Sequence, residues 1–277
     1  MNRRRFVTGV LTLGLVAAAA CRPGDRGEPK PLSAEEKSVS RTPRRYLAVA
    51  HRGASAYEPE NTLRAFRRAI ELGADMSELD AHLSKDGHVM IMHNPTVEKT
   101  TNGTGAIKDM TLAELKALDA GKGERIPTLQ EVIDLVQGRN GLYIELKGEG
   151  TPGPVVDILR RNKFTGRRQV IVGSFLPWLV QETRELAPEI ATSLLVGPVY
   201  SAEDLIAMTR AARADYVHLC WESRAPQPHT LLTTELLKSL REAGLGIVLW
   251  HEERASELAV LRTLDVDAIC SNTPDAL

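Results

Sequence analysis

The stretch MSELDAHLSKDGHVMIMHN, residues 76–94, decides the fold of this chain. It contains two short apolar runs, 76–83 and 88–93, which are joined by the four residues SKDG at 84–87. An Asp-Gly pair between two such runs predicts a β-hairpin. One of the two runs is therefore expected to be an added strand, outside the regular succession of strands and helices.

That succession extends from residue 46 to the end of the chain. Short runs rich in β-branched residues alternate with stretches of helical period, such as 60–72, where apolar residues share one face. The predicted strands are 46–51, 76–83, 88–93, 141–147, 169–175, 189–197, 215–221, 245–251 and 268–272. Without the hairpin strand, eight strands remain in β/α alternation. This count predicts an α/β fold, a TIM (β/α)8 barrel with an added β-hairpin strand near the second barrel strand.

A doubly wound open sheet is the alternative architecture for such an alternation. That fold typically has a Gly-x-Gly-x-x-Gly turn after an early strand. No such turn follows the early predicted strands of this sequence. The barrel is therefore the favoured fold.

The first 20 residues are typical of an export signal. A basic start with Arg3 and Arg4 precedes an apolar run at 10–20 that is too short to span a bilayer. The arginine pair resembles a twin-arginine signal. Three alanines before Cys21 resemble a lipobox, which predicts a lipidated, membrane-anchored exported protein at the outer face of a bacterial membrane. A plain secretory signal is the alternative.

Residues 21–44 are rich in Pro, Gly and charged residues, which predicts a flexible tether before a folded domain at 45–277. The whole chain has 35 basic and 36 acidic residues, and three of the basic ones are arginines within residues 1–20. The remaining chain therefore has 32 basic and 36 acidic residues, a formal charge of −4. This balance argues against nucleic acid as a partner. Cys220 and Cys270 are too few for a disulfide framework and are expected to be buried.

Unusual polar residues lie at predicted strand ends, where a TIM barrel places its active site. Three carboxylates, Glu78, Asp80 and Glu145, would repel one another in one barrel mouth. A hard divalent cation, Mg²⁺ or Ca²⁺, would remove that repulsion. His51 and His93 suit an acid–base pair near neutral pH.

Positive charge at the same strand ends suits an anionic substrate. Arg52 and Lys147 are expected to contact a phosphate group. A strand-end histidine or a single Glu-x-Asp is usually a surface feature. The convergence of these charges on otherwise apolar strands favours a functional site.

Several ordered motifs resemble the glycerophosphodiester phosphodiesterase family, over about residues 51–274. The motifs are His51-Arg52-Gly53, Pro59-Glu60-Asn61-Thr62, Glu78-Leu79-Asp80, Lys85-Asp86-Gly87, His93, Thr100-Thr101-Asn102-Gly103-Thr104-Gly105, Ile126-Pro127-Thr128-Leu129 and Ile144-Glu145-Leu146-Lys147. The resemblance implies a TIM barrel and metal-dependent hydrolysis of glycerophosphodiesters to glycerol phosphate and an alcohol.

Carried over by motif, the resemblance implies roles for individual residues. His51 and His93 match the general base and acid, in an order that the sequence leaves open. Glu78, Asp80 and Glu145 match the metal ligands.

The chain departs from the family pattern at several positions. Asn94 follows His93 where the family usually has Asp, and Asn272 precedes Thr273-Pro274 where the family often has Asp. Both changes keep a hydrogen-bonding side chain and remove a charge.

The nucleophile and the leaving alcohol remain open at this level. A glycerol hydroxyl could attack the phosphate to give a cyclic product, or water could attack directly. Trp178, Trp221, Trp250 and Tyr57 lie near strand ends and suggest an aromatic wall, with Trp250 as a substrate contact for choline or ethanolamine. A lysophospholipase D activity and a catalytically silent binding protein are the alternatives.

Overall fold

A computed structural model describes residues 45–167, 169–197, 200–220 and 226–277. The strands are β1 (Leu47–Ala50), β2 (Met76–Leu83), β3 (Val89–Ile91), β4 (Gly141–Leu146), β5 (Val170–Ser174), β6 (Ala191–Val196), β7 (Tyr216–Cys220), β8 (Gly246–Trp250) and β9 (Ala268–Ser271). The helices are α1 (Leu63–Glu71), α2 (Leu112–Ala117), α3 (Leu129–Val136), α4 (Pro152–Arg161), α5 (Pro177–Leu186), α6 (Ala202–Ala211), α7 (Thr234–Glu242) and α8 (Ala255–Leu261).

Eight of the strands form a closed parallel ring in the order β1-β2-β4-β5-β6-β7-β8-β9, and β9 pairs with β1 to close it. The predicted TIM barrel is confirmed, and ring closure rules out the open doubly wound sheet. The residues of β4, β5, β6 and β9 are buried throughout, as expected for strands that pack against helices outside and side chains inside.

The ninth strand, β3, lies outside the ring and pairs antiparallel with β2. Leu83 is opposite Val89 in this hairpin, and Gly87 adopts a positive φ of 83° in the turn. The Asp-Gly signal thus identified the added strand correctly. Eight ring strands remain, as the sequence predicted.

The first helix begins later than predicted. The sequence suggested a start at residue 60, but α1 begins at Leu63, and Thr62 is its N-cap, accepting a hydrogen bond from the backbone N–H of Ala65. Asn61 has a left-handed φ of 57°, which ends any helical continuation toward the N-terminus. The helix buries Ala65, Phe66 and Ala69 against the barrel.

Helix α2 was not predicted from the sequence. It has six residues, too few for the apolar periodicity to stand out. The sequence does indicate where this helix begins, because Thr111 and Glu114 form a reciprocal capping box at its N-terminus. Among the described residues, no helix is long and apolar enough to cross a membrane. Cys220 and Cys270 are buried free thiols, as expected.

Candidate active site

Three carboxylates meet inside one end of the barrel. Glu78 and Asp80 lie on the same face of β2, and Asp80 is the register partner of Glu145 on β4. Their oxygen atoms lie within 4.8 Å of one another, and all three side chains are buried. The alternation of β2 and the pairing of β2 with β4 therefore assemble the predicted cluster.

Electrostatic repulsion acts on this cluster. Burial and the neighbouring Asp80 and Glu145 charges raise the pKa of Glu78 well above its usual value. Burial also raises the pKa of Glu145, to about 7. Burial opposes the ionisation of Asp80 too, but the charges of Lys147 and Arg52 outweigh it and hold the Asp80 pKa low.

These carboxylates fit a divalent metal site. Oxygen-only donors suit hard cations, and a cation among the three would favour their ionised forms. One oxygen, Asp80 Oδ1, is buried and accepts no hydrogen bond from the described residues, although Lys147 Nζ lies 3.2 Å away. This oxygen is ion-paired with an ammonium group but accepts no aligned hydrogen bond, so it keeps a lone pair that a metal ion could coordinate.

The first histidine borders this cluster. His51 follows β1 directly, is buried, and has its Nε2 atom 4.0 Å from Glu78 Oε2. Its Nδ1 atom is 2.6 Å from Asn272 Oδ1. An amide oxygen only accepts hydrogen bonds, so Nδ1 carries the proton and Nε2 faces the carboxylates as a potential base. Burial, with a contribution from Arg52, lowers the pKa of His51 well below its usual value.

The second histidine lies just beyond β3. His93 Nδ1 is 2.7 Å from Asn94 Oδ1, which favours the same tautomer. Burial lowers the pKa of His93, and the nearby Asp80 charge opposes this shift. His82, which follows Asp80 on the same face of β2, places Nε2 3.2 Å from the carbonyl oxygen of His93. This contact links β2 to the segment that carries His93.

Two cationic side chains border the carboxylate cluster. Arg52 Nη1 donates to Glu60 Oε1 at 3.0 Å, and Arg52 Nε lies 3.5 Å from Asp80 Oδ2. Lys147 Nζ donates to Glu145 Oε1 at 2.7 Å. Both cations therefore border the carboxylates, where an anionic group near the metal would meet them.

The predicted aromatic wall is only partly assembled. Trp250 is buried, with its ring centroid 5.1 Å from that of His51 in an edge arrangement. Phe175 was not predicted to join this wall. It is 39% exposed, and its ring centroid lies 6.4 Å from that of Trp250. Trp178 is exposed, and the hydroxyl of Tyr57 donates to Asp275. Trp221 lies outside the described residues.

Sequence reasoning missed the residues that orient the site. Asn61 binds Asp80, Asn272 binds His51, and His251 stacks on His51 with ring centroids 4.6 Å apart. The sequence placed Asn61 in the motif Pro59-Glu60-Asn61-Thr62 but gave it no role. Asn272 was visible as a departure from the family pattern, but no local pattern showed which residue either asparagine would meet.

Comparison with known proteins gives a consistent result. Residues 51–276 match the Glycerophosphoryl diester phosphodiesterase family. The chain is 34% identical over 247 residues to a glycerophosphodiester phosphodiesterase of Caldanaerobacter subterraneus subsp. tengcongensis, a match that covers 83% of this chain and 96% of that protein.

Two solved structures share the fold. A glycerophosphodiester phosphodiesterase from Agrobacterium tumefaciens matches with a TM-score of 0.73 and 30% identity, covering 83% of this chain and 98% of that one. An Oleispira antarctica phosphodiesterase in complex with the product sn-glycerol-3-phosphate matches with a TM-score of 0.73 and 29% identity. The match covers 82% of this chain and 93% of that one.

Proposed function

The chain belongs to the glycerophosphodiester phosphodiesterase family, and from this premise we propose that it hydrolyses glycerophosphodiesters to glycerol phosphate and an alcohol. The buried cluster of Glu78, Asp80 and Glu145, bordered by two histidines, is the observation that carries this proposal. The product complex of the Oleispira antarctica relative adds support for glycerol phosphate as the product.

We propose that the three carboxylates hold Mg²⁺ or Ca²⁺. A cation bound there would neutralise charge on a phosphate oxygen and favour ionisation of the attacking hydroxyl. Arg52 and Lys147 bind and orient the same phosphate from the protein side. Their ion pairs with Asp80 and Glu145 hold both cations beside the proposed metal position.

The histidines move protons in this scheme. Lowered pKa values leave His51 and His93 neutral at pH 7, so either Nε2 atom can accept the proton of the attacking group. The other histidine takes up a proton from solvent at Nε2 when the phosphate anion binds, because the anion favours the cationic imidazolium, and then donates that proton to the leaving alkoxide. Trapping a cyclic phosphate would identify attack by a glycerol hydroxyl, and its absence would favour attack by water.

We propose that the leaving alcohol is a small polar headgroup such as choline or ethanolamine. Phe175, which is 39% exposed and packs against the buried Trp250 beside His51, offers aromatic surface for a cationic group. Such a contact contributes about 1–2 kcal/mol when it is desolvated.

The decisive measurement compares kcat/KM for glycerophosphocholine and lysophosphatidylcholine, with and without added metal. We expect metal-dependent release of glycerol phosphate and a preference for the deacylated substrate. A clear preference for the acylated lipid would assign lysophospholipase D activity instead. Absence of turnover with both would support the silent binding protein.

We also propose that the protein is exported and anchored to the outer face of a bacterial membrane through a lipidated Cys21, with residues 21–44 as the tether. These residues lie outside the described part of the chain. Cys21→Ser should move the protein from the membrane to the soluble fraction. A soluble wild-type protein whose N-terminus is not Cys21 would contradict lipidation.

A further inference from the structure

The loop between β1 and α1, residues 51–62, packs over the carboxylates of β2. Asn61 near its end is buried, with 4% of its surface exposed, and has a left-handed φ of 57°. A buried polar side chain costs free energy unless its hydrogen bonds are made. Its partners therefore show what this position contributes.

Both ends of the Asn61 side-chain amide bind the same residue. Nδ2 donates to Asp80 Oδ2 at 2.8 Å, and Oδ1 accepts from the backbone N–H of Asp80 at 3.4 Å. A carboxylate only accepts and a backbone N–H only donates, so these two partners define the orientation of the amide. The backbone N–H of Asn61 also donates to the carbonyl oxygen of Arg52 at 3.0 Å.

This contact makes the two oxygens of Asp80 different. Oδ2 accepts from Asn61 and lies 3.5 Å from Arg52 Nε. Oδ1 accepts no hydrogen bond from the described residues and lies 3.2 Å from Lys147 Nζ, which also donates to Glu145 Oε1. We propose that Asn61 is a positioning residue that turns Asp80 so that Oδ1 faces the bound divalent cation. The inference rests on the proposed metal-dependent function and assigns a role to a residue that does not itself bind the metal.

Asparagine meets two requirements at this position. Asn tolerates the left-handed backbone conformation better than most residues, and its amide supplies a donor to the carboxylate. Glycine meets only the first requirement. Asn61→Gly therefore removes the amide while it keeps the backbone conformation accessible.

The test measures metal affinity directly. Isothermal titration of chelator-stripped protein with Mg²⁺, and separately with Ca²⁺, should show a Kd roughly 10–100-fold weaker for Asn61→Gly than for the wild type. The kcat of Asn61→Gly should lie closer to the wild-type value at saturating metal than at low metal. The KM for the phosphodiester should change little. A role in folding alone would not produce this dependence on metal concentration.

Thr62→Ala is the matched control. This substitution removes the N-cap of α1 and lowers stability at the residue next to Asn61. It leaves the hydrogen bonds between Asn61 and Asp80 in place. We expect it to keep the wild-type Kd. An equal loss of affinity in Thr62→Ala would attribute the effect to disturbance of the loop and overturn the proposal.

A second measurement needs no variant. In isotope-labelled wild-type protein, the side-chain amide proton of Asn61 should show the downfield shift and slow exchange of a hydrogen bond to a carboxylate. Signals of a free amide, or an Asn61→Gly protein with wild-type Kd, would overturn this inference alone. A wild-type protein that binds neither cation would overturn the proposed metal site together with it.

Discussion

The two ends of the barrel both carry carboxylates, but the side chains around these groups differ. At the amino ends of the strands, Asp75, Asp215 and Asp267 directly precede β2, β7 and β9. Each carboxylate accepts a hydrogen bond from a backbone N–H of a neighbouring strand. The donors are Ala48 at 2.8 Å, Thr192 at 2.9 Å and Ile247 at 2.7 Å, in that order. Arg184 and Arg241 also pair with Asp215 and Asp267.

The carboxylates at the other end, Glu78, Asp80 and Glu145, face one another. A cavity of about 410 Å³ opens at the amino end, beside Asp215 and Asp267, yet these groups already have partners within the chain. Open space is thus a poorer guide to function here than a buried cluster in which three carboxylates share the charges of Arg52 and Lys147. Perturbed carboxylates in a barrel mouth mark the site.

Removal of a carboxylate from the mouth should have the largest effect on turnover. Glu78→Gln, or metal removal by a chelator, should lower kcat by about 10⁴-fold, since a catalytic cation contributes several kcal/mol to the transition state. Added Mg²⁺ or Ca²⁺ should restore the chelated wild type but not the variant. Full activity of dialysed protein in excess chelator would contradict the metal assignment.

The histidines should have the next largest effect. His51→Ala and His93→Ala should each lower kcat by roughly 10²–10⁴-fold, the range for loss of a general acid or base. His88→Ala, at an exposed position in the β2–β3 hairpin, is the matched control and should keep wild-type turnover. Near-normal kcat in both site variants would make these histidines structural.

The amino end of the barrel should show the opposite pattern. Asp215→Asn removes the charge that pairs with Arg184 and weakens the bond to the Thr192 N–H. We expect a loss of about 1–3 kcal/mol in the free energy of unfolding, measured by urea denaturation, with kcat unchanged. A variant with wild-type stability and reduced turnover would erase the distinction between the two ends.

Ionisation of Glu145 should destabilise the metal-free protein at neutral pH and above. Burial raises the pKa of Glu145 to about 7 in the folded state, above its ordinary value of 4.5. A raised folded pKa stabilises the fold at pH values below the unfolded pKa, and this contribution is lost as the pH rises through about 7.

Glu145→Gln should therefore be more stable than the wild type at about pH 8 in chelator, by on the order of 1–3 kcal/mol. Urea denaturation at about pH 5 and pH 8 measures this difference, which should shrink at the lower pH. Addition of the cation should favour the wild type again. Parallel pH profiles for the two proteins would show that the mouth is not strained by its charges.

Much of this molecule was predictable from local sequence patterns. Strand and helix periods, and the Asp-Gly turn at residues 86 and 87, are encoded by neighbouring residues, so the eight-stranded ring and its extra strand followed from them. The side chains at strand ends were predictable too, since parallel strands bring those ends together. Helix α2 was missed because six residues carry too little periodicity.

Only the tertiary structure decided how the site is oriented. Asn272 lies 221 residues from His51 and meets it because β9 closes the ring against β1. Asn61 binds Asp80 because a left-handed turn delays α1 and directs the amide inward. The amino-acid types by themselves determined which chemistry was available at the mouth. Ring closure, strand register and backbone conformation decided which atoms meet, since contacts between distant residues depend on the whole fold.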